Sequence, residues 1–318
     1  MGSILYLVIP CYNEEAVLRD TAGKLSVKMK DMIARDVIDP ASRIIFVNDG
    51  SMDLTWRIIQ DLHGEDRLFG GINLTRNRGH QNALLGGLLT VKDDADIVIS
   101  LDADLQDDID VLEKMVEEHY RGYDVVYGVR SNRKKDSFFK RFTAQSFYKI
   151  TNKLSDKNLI YNHADFRLMS RRAIEGLSQF GEVNLFLRGI VPLIGYPSTV
   201  VEYERKERLL GESKYPLSKM LGLAIEGITS LSVKPIRIVT FFGFLSLFGG
   251  IAILIYVLVS YFTGHTVQGW SSILVSLWMI GGILMLSLGI VGEYVGKIYL
   301  ETKKRPRYIV EEYINDKK

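Results

Sequence analysis

Apolar residues come in short runs through the first two-thirds of the chain and in two long blocks near its end. Ile4 to Ile9, Arg43 to Val47, Gly71 to Leu74, Asp96 to Leu101 and Asp124 to Val129 are strand-length runs. Helical patterns follow the first four, from about Glu14, over Asp53 to Leu62, after Gly79, and from Ile109 to Tyr120. A further short strand, Asp165 to Met169, precedes a helix over Ser170 to Leu177. Strands that alternate with helices of this length predict an α/β domain with a mostly parallel sheet, helices on both faces and ligands at the carboxyl ends of the strands.

The long blocks differ in kind. Ile236 to Phe262 holds one charge, Arg237, and Ser271 to Gly292 holds none. Each exceeds the roughly 18 to 20 residues a helix needs to cross a hydrocarbon core, so both predict transmembrane helices. Tyr215 to Ser232 carries apolar residues near helical spacing and predicts a helix along the membrane surface. The expected layout is a catalytic domain over 1–215, a juxtamembrane helix over 216–235, two spans over 236–296 and a tail over 297–318. Between the spans, Thr263 to Trp270 has no Lys or Arg, whereas Lys234 and Arg237 stand before the first and Lys297, Lys303, Lys304, Arg305 and Arg307 at or after the end of the second. The positive-inside rule then predicts both termini and the catalytic domain in the cytoplasm. Ile4 to Pro10 is strand-length and runs straight into polar chain, so no secretory leader is expected. Cys11 is the sole cysteine, which fits a cytosolic domain without disulfides.

Composition adds little: at 318 residues the chain can bury a large core, and its net charge of +2 selects no partner. No nucleic-acid partner is expected. The distribution of charge says more. Between Arg130 and Lys149, Arg130, Arg133, Lys134, Lys135, Lys140, Arg141 and Lys149 face one acid, Asp136. Such a cluster creates a positive field able to collect phosphates or anionic lipid heads.

The candidate chemistry lies at the strand ends. The first turn has no G-x-G-x-x-G loop and the chain has no G-x-x-x-x-G-K-[ST], which argues against a dinucleotide-binding dehydrogenase and a P-loop ATPase. No His or Cys grouping has zinc spacing. After the fourth run come Asp102, Ala103, Asp104, Leu105 and Gln106. On an extended chain Asp102, Asp104 and Gln106 share a face, so two carboxylates and an amide oxygen converge. Their mutual repulsion calls for a cation, and hard oxygen donors suit Mg²⁺ or Mn²⁺ bridging to a diphosphate. Asp108 and Asp110 read as acids at a helix start.

Taken together, Val8 to Glu15, Val47 to Ser51, Arg76 to His80, Leu101 to Asp107, Asp165 to Met169, and Arg205 to Arg208 with Gly211 to Tyr215 resemble glycosyltransferase family 2. With the two apolar blocks, the chain resembles the polyprenyl-phosphate (bactoprenol) glucosyltransferase type and is similar to dolichyl-phosphate mannose synthase. The resemblance implies a GT-A-type nucleotide-diphospho-sugar-binding domain. It implies inverting transfer of a hexose, glucose from UDP-glucose by family frequency, to undecaprenyl or another polyprenyl phosphate on the cytoplasmic leaflet of a bacterial membrane. Related proteins also assemble as membrane oligomers. The alternatives are a GDP-mannose transferase, or a membrane-anchored binding or flippase subunit without catalysis.

By the same resemblance Pro10, Tyr12, Glu14, Val47 and Asp49 line the pocket for base and ribose, and Asp102 and Ala103 belong to the nucleotide-sugar site. Asp102, Asp104 and Gln106 fall on metal and diphosphate positions, with Asp104 among the catalytic residues. Arg208 and Lys214 contact the donor pyrophosphate from a closing loop. Arg130, with Arg133 or Arg141, is the candidate for the acceptor phosphate, because guanidinium binds phosphate oxygens bidentately. Asp165 sits where related enzymes place a base; it could instead bind a sugar hydroxyl or hold Arg167. For Glu14 the residue alone is equally compatible with an acid at a helix start. His80 receives no catalytic role.

Overall fold

A computed structural model of the chain describes residues 2–130, 163–183, 186–203, 234–263 and 269–315. They divide into two compact units, one comprising 2–130, 163–183, 186–203 and 305–315, the other 234–263 and 269–304. In the first unit β1 (Leu5–Cys11), β2 (Arg43–Asn48), β3 (Phe69–Leu74), β4 (Ile97–Ser100), β5 (Val125–Arg130), β6 (His163–Ser170), β7 (Ser198–Tyr203) and β8 (Val310–Ile314) form a sheet of order β7-β5-β6-β4-β1-β2-β3-β8. The pairs β1–β2, β2–β3, β1–β4 and β5–β7 are parallel, while β6 runs antiparallel to β4 and β5, and β8 antiparallel to β3. This is the mostly parallel α/β sheet that the sequence predicts.

Strand β1 explains the two-sided burial. Leu5, Leu7, Ile9 and Cys11 join one core layer and Tyr6 and Val8 the other, so the strand reads as one apolar run. The first layer is closed by α1 (Leu18–Ala34), α2 (Thr55–Glu65) and α4 (Val111–Tyr120). The second is closed by α3 (His80–Val91), α5 (Arg171–Ser178) and α6 (Leu187–Ile190). Helix α3 packs so closely on the sheet that a Cβ on Gly87 would stand 2.6 Å from Val8 Cγ1 and 2.7 Å from Val47 Cγ2.

The chain passes from β1 outward through β2 and β3, then returns to place β4 on the other side of β1. That reversal falls between β1 and β4, and the carboxyl ends of strands at such a reversal are the position where open α/β sheets bind ligands.

In the second unit the apolar blocks form α7 (Lys234–Phe262, 29 residues) and α8 (Trp270–Lys303, 34 residues), which pack on one another. Among the described residues, Met279–Lys303 is long and apolar enough to cross a membrane. The surface helix expected over 216–235 falls almost wholly outside the described residues. The tail expected after the second apolar block contributes β8, which extends the sheet at its β3 edge.

Candidate functional site

The turns that follow β1, β2, β3 and β4 build the site. After β1, Asn13 adopts a left-handed conformation with φ 55°. Its N–H donates to Ser51 Oγ (3.0 Å), and its side-chain oxygen accepts from the Met52 N–H (3.0 Å). Glu14 N donates to Thr55 Oγ1 at 2.9 Å, while the Glu15 carboxylate accepts from Leu54 N at 2.9 Å. The first turn is thus sewn to the second. Tyr12 is left 44% exposed, its ring available as a stacking face.

After β2, Gly50 takes φ +63°, and a Cβ there would lie 2.4 Å from Asn77 N, so the second and third turns meet backbone to backbone. Asp49 locks that meeting: Oδ1 accepts from Arg78 N (2.7 Å) and Oδ2 from Gly79 N (2.9 Å). Burial raises the Asp49 carboxyl above the usual range, and these two N–H groups oppose the rise. Asp49, expected at the ribose, therefore anchors the third turn. Pro10 is buried, and Val47 packs in the core layer beneath α3, so its side chain supports the pocket without lining it. Glu14 is half-buried.

Strand β4 ends at Ser100, whose hydroxyl donates to the Asp165 carbonyl on β6. Beyond it Leu101 and Ala103 are buried and Asp102 and Asp104 part-exposed, as alternation predicts. Thr21 on α1 donates to the Ala103 carbonyl at 2.7 Å and fixes the turn. The alternation then fails, because Leu105 adopts a positive φ of 45°. Gln106 is consequently buried, and its amide nitrogen donates to the Asp104 carboxylate. Gln106, expected as a third oxygen ligand, thus leaves the face shared by Asp102 and Asp104. Asp107 is also buried and accepts from the Tyr203 hydroxyl. Asp110 sits at the N-terminal cap position of α4 without a capping bond, and its carboxylate faces Lys28 Nζ at 3.3 Å.

His80, at the start of α3, brings Asp102 and Asp165 together: its Nε2 lies 3.7 Å from Asp102 Oδ1 and 3.6 Å from Asp165 Oδ2. Asp165 also pairs with Arg167 (2.6 Å) and Arg188 (3.0 Å). Burial would push the Asp165 carboxyl up, but the nearby His80 imidazole and the Arg188 and Arg167 guanidiniums outweigh it and hold Asp165 well below the usual carboxylate range. A carboxylate so held is a poor proton acceptor. Of the roles left open by the sequence, this geometry favours holding Arg167 over acting as a base. Burial lowers His80, yet the neighbouring Asp165 and Asp102 carboxylates raise it overall. Burial raises Asp102; His80 opposes this, while Asp107, Asp165 and Asp104 add to it.

Among the described residues no group of three or more His, Cys, Asp or Glu side chains gathers to hold a metal. Two carboxylates, Asp102 and Asp104, do stand part-exposed and close enough to repel. That donor set fits Mg²⁺ or Mn²⁺, which bind through one or two carboxylates and take further oxygens from phosphates and water. Arg188 and His80 are the site residues that sequence reasoning missed. His80 follows Gly79 at a strand end, a position that signals a site, whereas nothing near Arg188 in sequence marks it. Arg130 ends β5, and Arg133, Arg141, Arg208 and Lys214 lie outside the described residues.

The description "Glycosyl transferase family 2" matches residues 6–177. An uncharacterized glycosyltransferase of Bacillus subtilis, YkoT, is 48% identical over 308 residues, 97% of this chain and 91% of its own. The bactoprenol glucosyl transferase of Shigella phage SfX is 40% identical over 310 residues, 96% of this chain and 98% of its own. Among solved structures, glucosyl-3-phosphoglycerate synthase from Mycobacterium tuberculosis, in complex with Mn²⁺, UDP-glucose and phosphoglyceric acid, aligns with a TM-score of 0.44 at 18% identity, covering 72% of this chain and 79% of that one.

Proposed function

Because the chain belongs to glycosyltransferase family 2, we propose that it transfers glucose from UDP-glucose, with inversion, to a polyprenyl phosphate at the cytoplasmic face of a bacterial membrane. The observation that carries this reading is that the turns bearing Tyr12 and Glu14 and bearing Asp102 and Asp104 follow the adjacent parallel strands β1 and β4, at the point where the strand order reverses. The name of the phage relative supports a bactoprenol acceptor and a glucosyl group. The apolar helix Met279–Lys303 supports access to a lipid substrate.

Each residue then has a task. Tyr12 offers a face to the base, and Glu14 accepts from ribose or base N–H groups. Asp49 holds the turn that carries Arg76 to Gly79. Asp102 and Asp104 would hold Mg²⁺ or Mn²⁺ against the donor diphosphate, with Gln106 orienting Asp104. A divalent ion there supplies Lewis acidity toward the departing nucleoside diphosphate.

The acceptor explains why a strong base is not needed. A phosphate monoester has a second pKa of about 6, so at neutral pH its attacking oxygen is already largely anionic. The task is to hold one more anion beside a crowded set of negative charges, which calls for cations. Arg188, kept in place by Asp165, is one such cation, and Arg130, Arg133 and Arg141 are proposed to supply others. Arg208 and Lys214 are proposed to close over the pyrophosphate and exclude water.

A donor panel tests the reading. Purified full-length protein is given undecaprenyl phosphate, Mn²⁺ or Mg²⁺, and UDP-glucose, UDP-galactose or GDP-mannose. Organic-extractable hexose should form fastest with UDP-glucose. Faster transfer from GDP-mannose would reassign the donor, and nucleotide binding without transfer from any donor would favour a non-catalytic binder.

A further inference from the structure

A line of hydrogen bonds runs from the end of the chain to the turns that follow β2 and β1. On β8, the Glu311 carboxylate accepts from Asn73 Nδ2 on β3 at 2.8 Å. Asn73 Oδ1 accepts from Asn48 Nδ2 on β2 at 2.7 Å. Asn48 is buried at 2% exposure, and its Oδ1 accepts from the Ser51 N–H at 3.2 Å, in the turn that carries Asp49 and Gly50. Ser51 Oγ in turn accepts from Asn13 N at 3.0 Å, beside Tyr12.

The order of these bonds has a direction. An amide side chain can present either its oxygen or its nitrogen to a neighbour, whereas a carboxylate only accepts. With Glu311 at one end, Asn73 must turn its NH₂ outward and its oxygen toward Asn48. Asn48 must then point its oxygen at Ser51. Without that fixed end the pair of amides can reverse, placing an NH₂ against the Ser51 N–H, donor against donor. We propose that Glu311 is a positioning residue for the nucleotide site: from the C-terminal strand it sets the polarity of the Asn73–Asn48 pair, and so the conformation of the Asp49–Ser51 and Tyr12–Asn13 turns. The role presupposes the nucleotide-donor reading above. Glu311 is exposed on an edge strand, so its truncation leaves the core intact.

The test uses full-length protein in detergent, with UDP and Mn²⁺ as the probe in calorimetric titration. Loss of one fixed hydrogen-bond orientation corresponds to about a five-fold weakening of UDP binding in Glu311→Ala. The donor KM should rise in step while kcat at saturating donor changes by less than about two-fold. Glu311→Gln, whose amide can turn either end to Asn73 and so leaves the direction open, should also weaken UDP binding, whereas Glu312→Ala on the same strand should bind as wild type does. Asn73→Ala should weaken UDP binding as much as Glu311→Ala, and the double variant no further, because both break one chain. Unchanged UDP binding in Glu311→Ala or Glu311→Gln, equal loss in Glu312→Ala, or additive losses in the double variant would each overturn the proposal. Wild-type protein that binds neither UDP nor GDP would instead overturn the donor reading, and this role with it.

Discussion

Asp165 and Asp104 carry like charge near the same edge but differ in what holds them. Arg167 is 1% exposed and its guanidinium is paired with Asp165 at 2.6 Å, so removing that charge strands a buried cation. Breaking such a pair costs on the order of 3 to 5 kcal/mol. Asp165→Asn is therefore expected to unfold at markedly lower denaturant concentration, whereas Asp104→Asn, altered at a part-exposed carboxylate, should keep its stability and lose transfer. The acid dependence has a definite sign. The Asp165 carboxyl is held below its ordinary value, so its stabilisation is complete above about pH 4 and is lost as pH falls through the folded value. The stability gap between wild type and Asp165→Asn should accordingly narrow below about pH 4 in chemical denaturation. A gap that stays constant with pH would mean that the ion pair is not what Asp165 contributes. The carboxylates and the Asp165–Arg167 pair are legible in the sequence, but Arg188 and His80 are not, because they approach Asp165 from other elements of the fold.

At the scale of elements, α3 is tied to the sheet by a glycine. Alanine is favoured over glycine in a helix by about 1 kcal/mol, yet a Cβ on Gly87 would meet the stiff branches of Val8 and Val47 at 2.6 and 2.7 Å. Overpacking of a core costs about 1 to 3 kcal/mol, so Gly87→Ala should lower the melting temperature despite its better propensity. A rise would show that the interface yields freely. The strands β1 to β5 were legible in the sequence because their alternating or continuous apolar runs are bounded by polar turns. Strand β8, with Glu311 and Glu312 side by side, reads as tail because edge strands carry charge. Strand β7 is half-exposed and equally faint, and the reversed direction of β6 has no signature in periodicity at all. Gln106 leaves the face that strand alternation predicts for it because the chain turns at the left-handed Leu105.

For the molecule as a whole, the proposed topology puts both ends of the chain on one side of a membrane and the 263–270 segment on the other. The protein carries its own low background for testing this: Cys11 is its only cysteine, is buried, and has its thiol pushed up by burial. In intact cells Thr263→Cys should react with a membrane-impermeant maleimide, while Lys317→Cys should react only after lysis. The reverse pattern would exclude the positive-inside orientation.

The central claim is metal-assisted transfer at the carboxylate edge beyond β4, and it is tested most directly by following UDP release and lipid-linked glucose in the same reaction. Purified wild-type protein with UDP-glucose, undecaprenyl phosphate and Mn²⁺ should yield both products in equal amounts. Chelation should stop both, and Asp104→Asn should lower both by about 100-fold or more, the scale of losing an electrostatic contribution to a transition state. Transfer that persists undiminished in Asp104→Asn, or UDP release that does not depend on the lipid phosphate, would contradict the account.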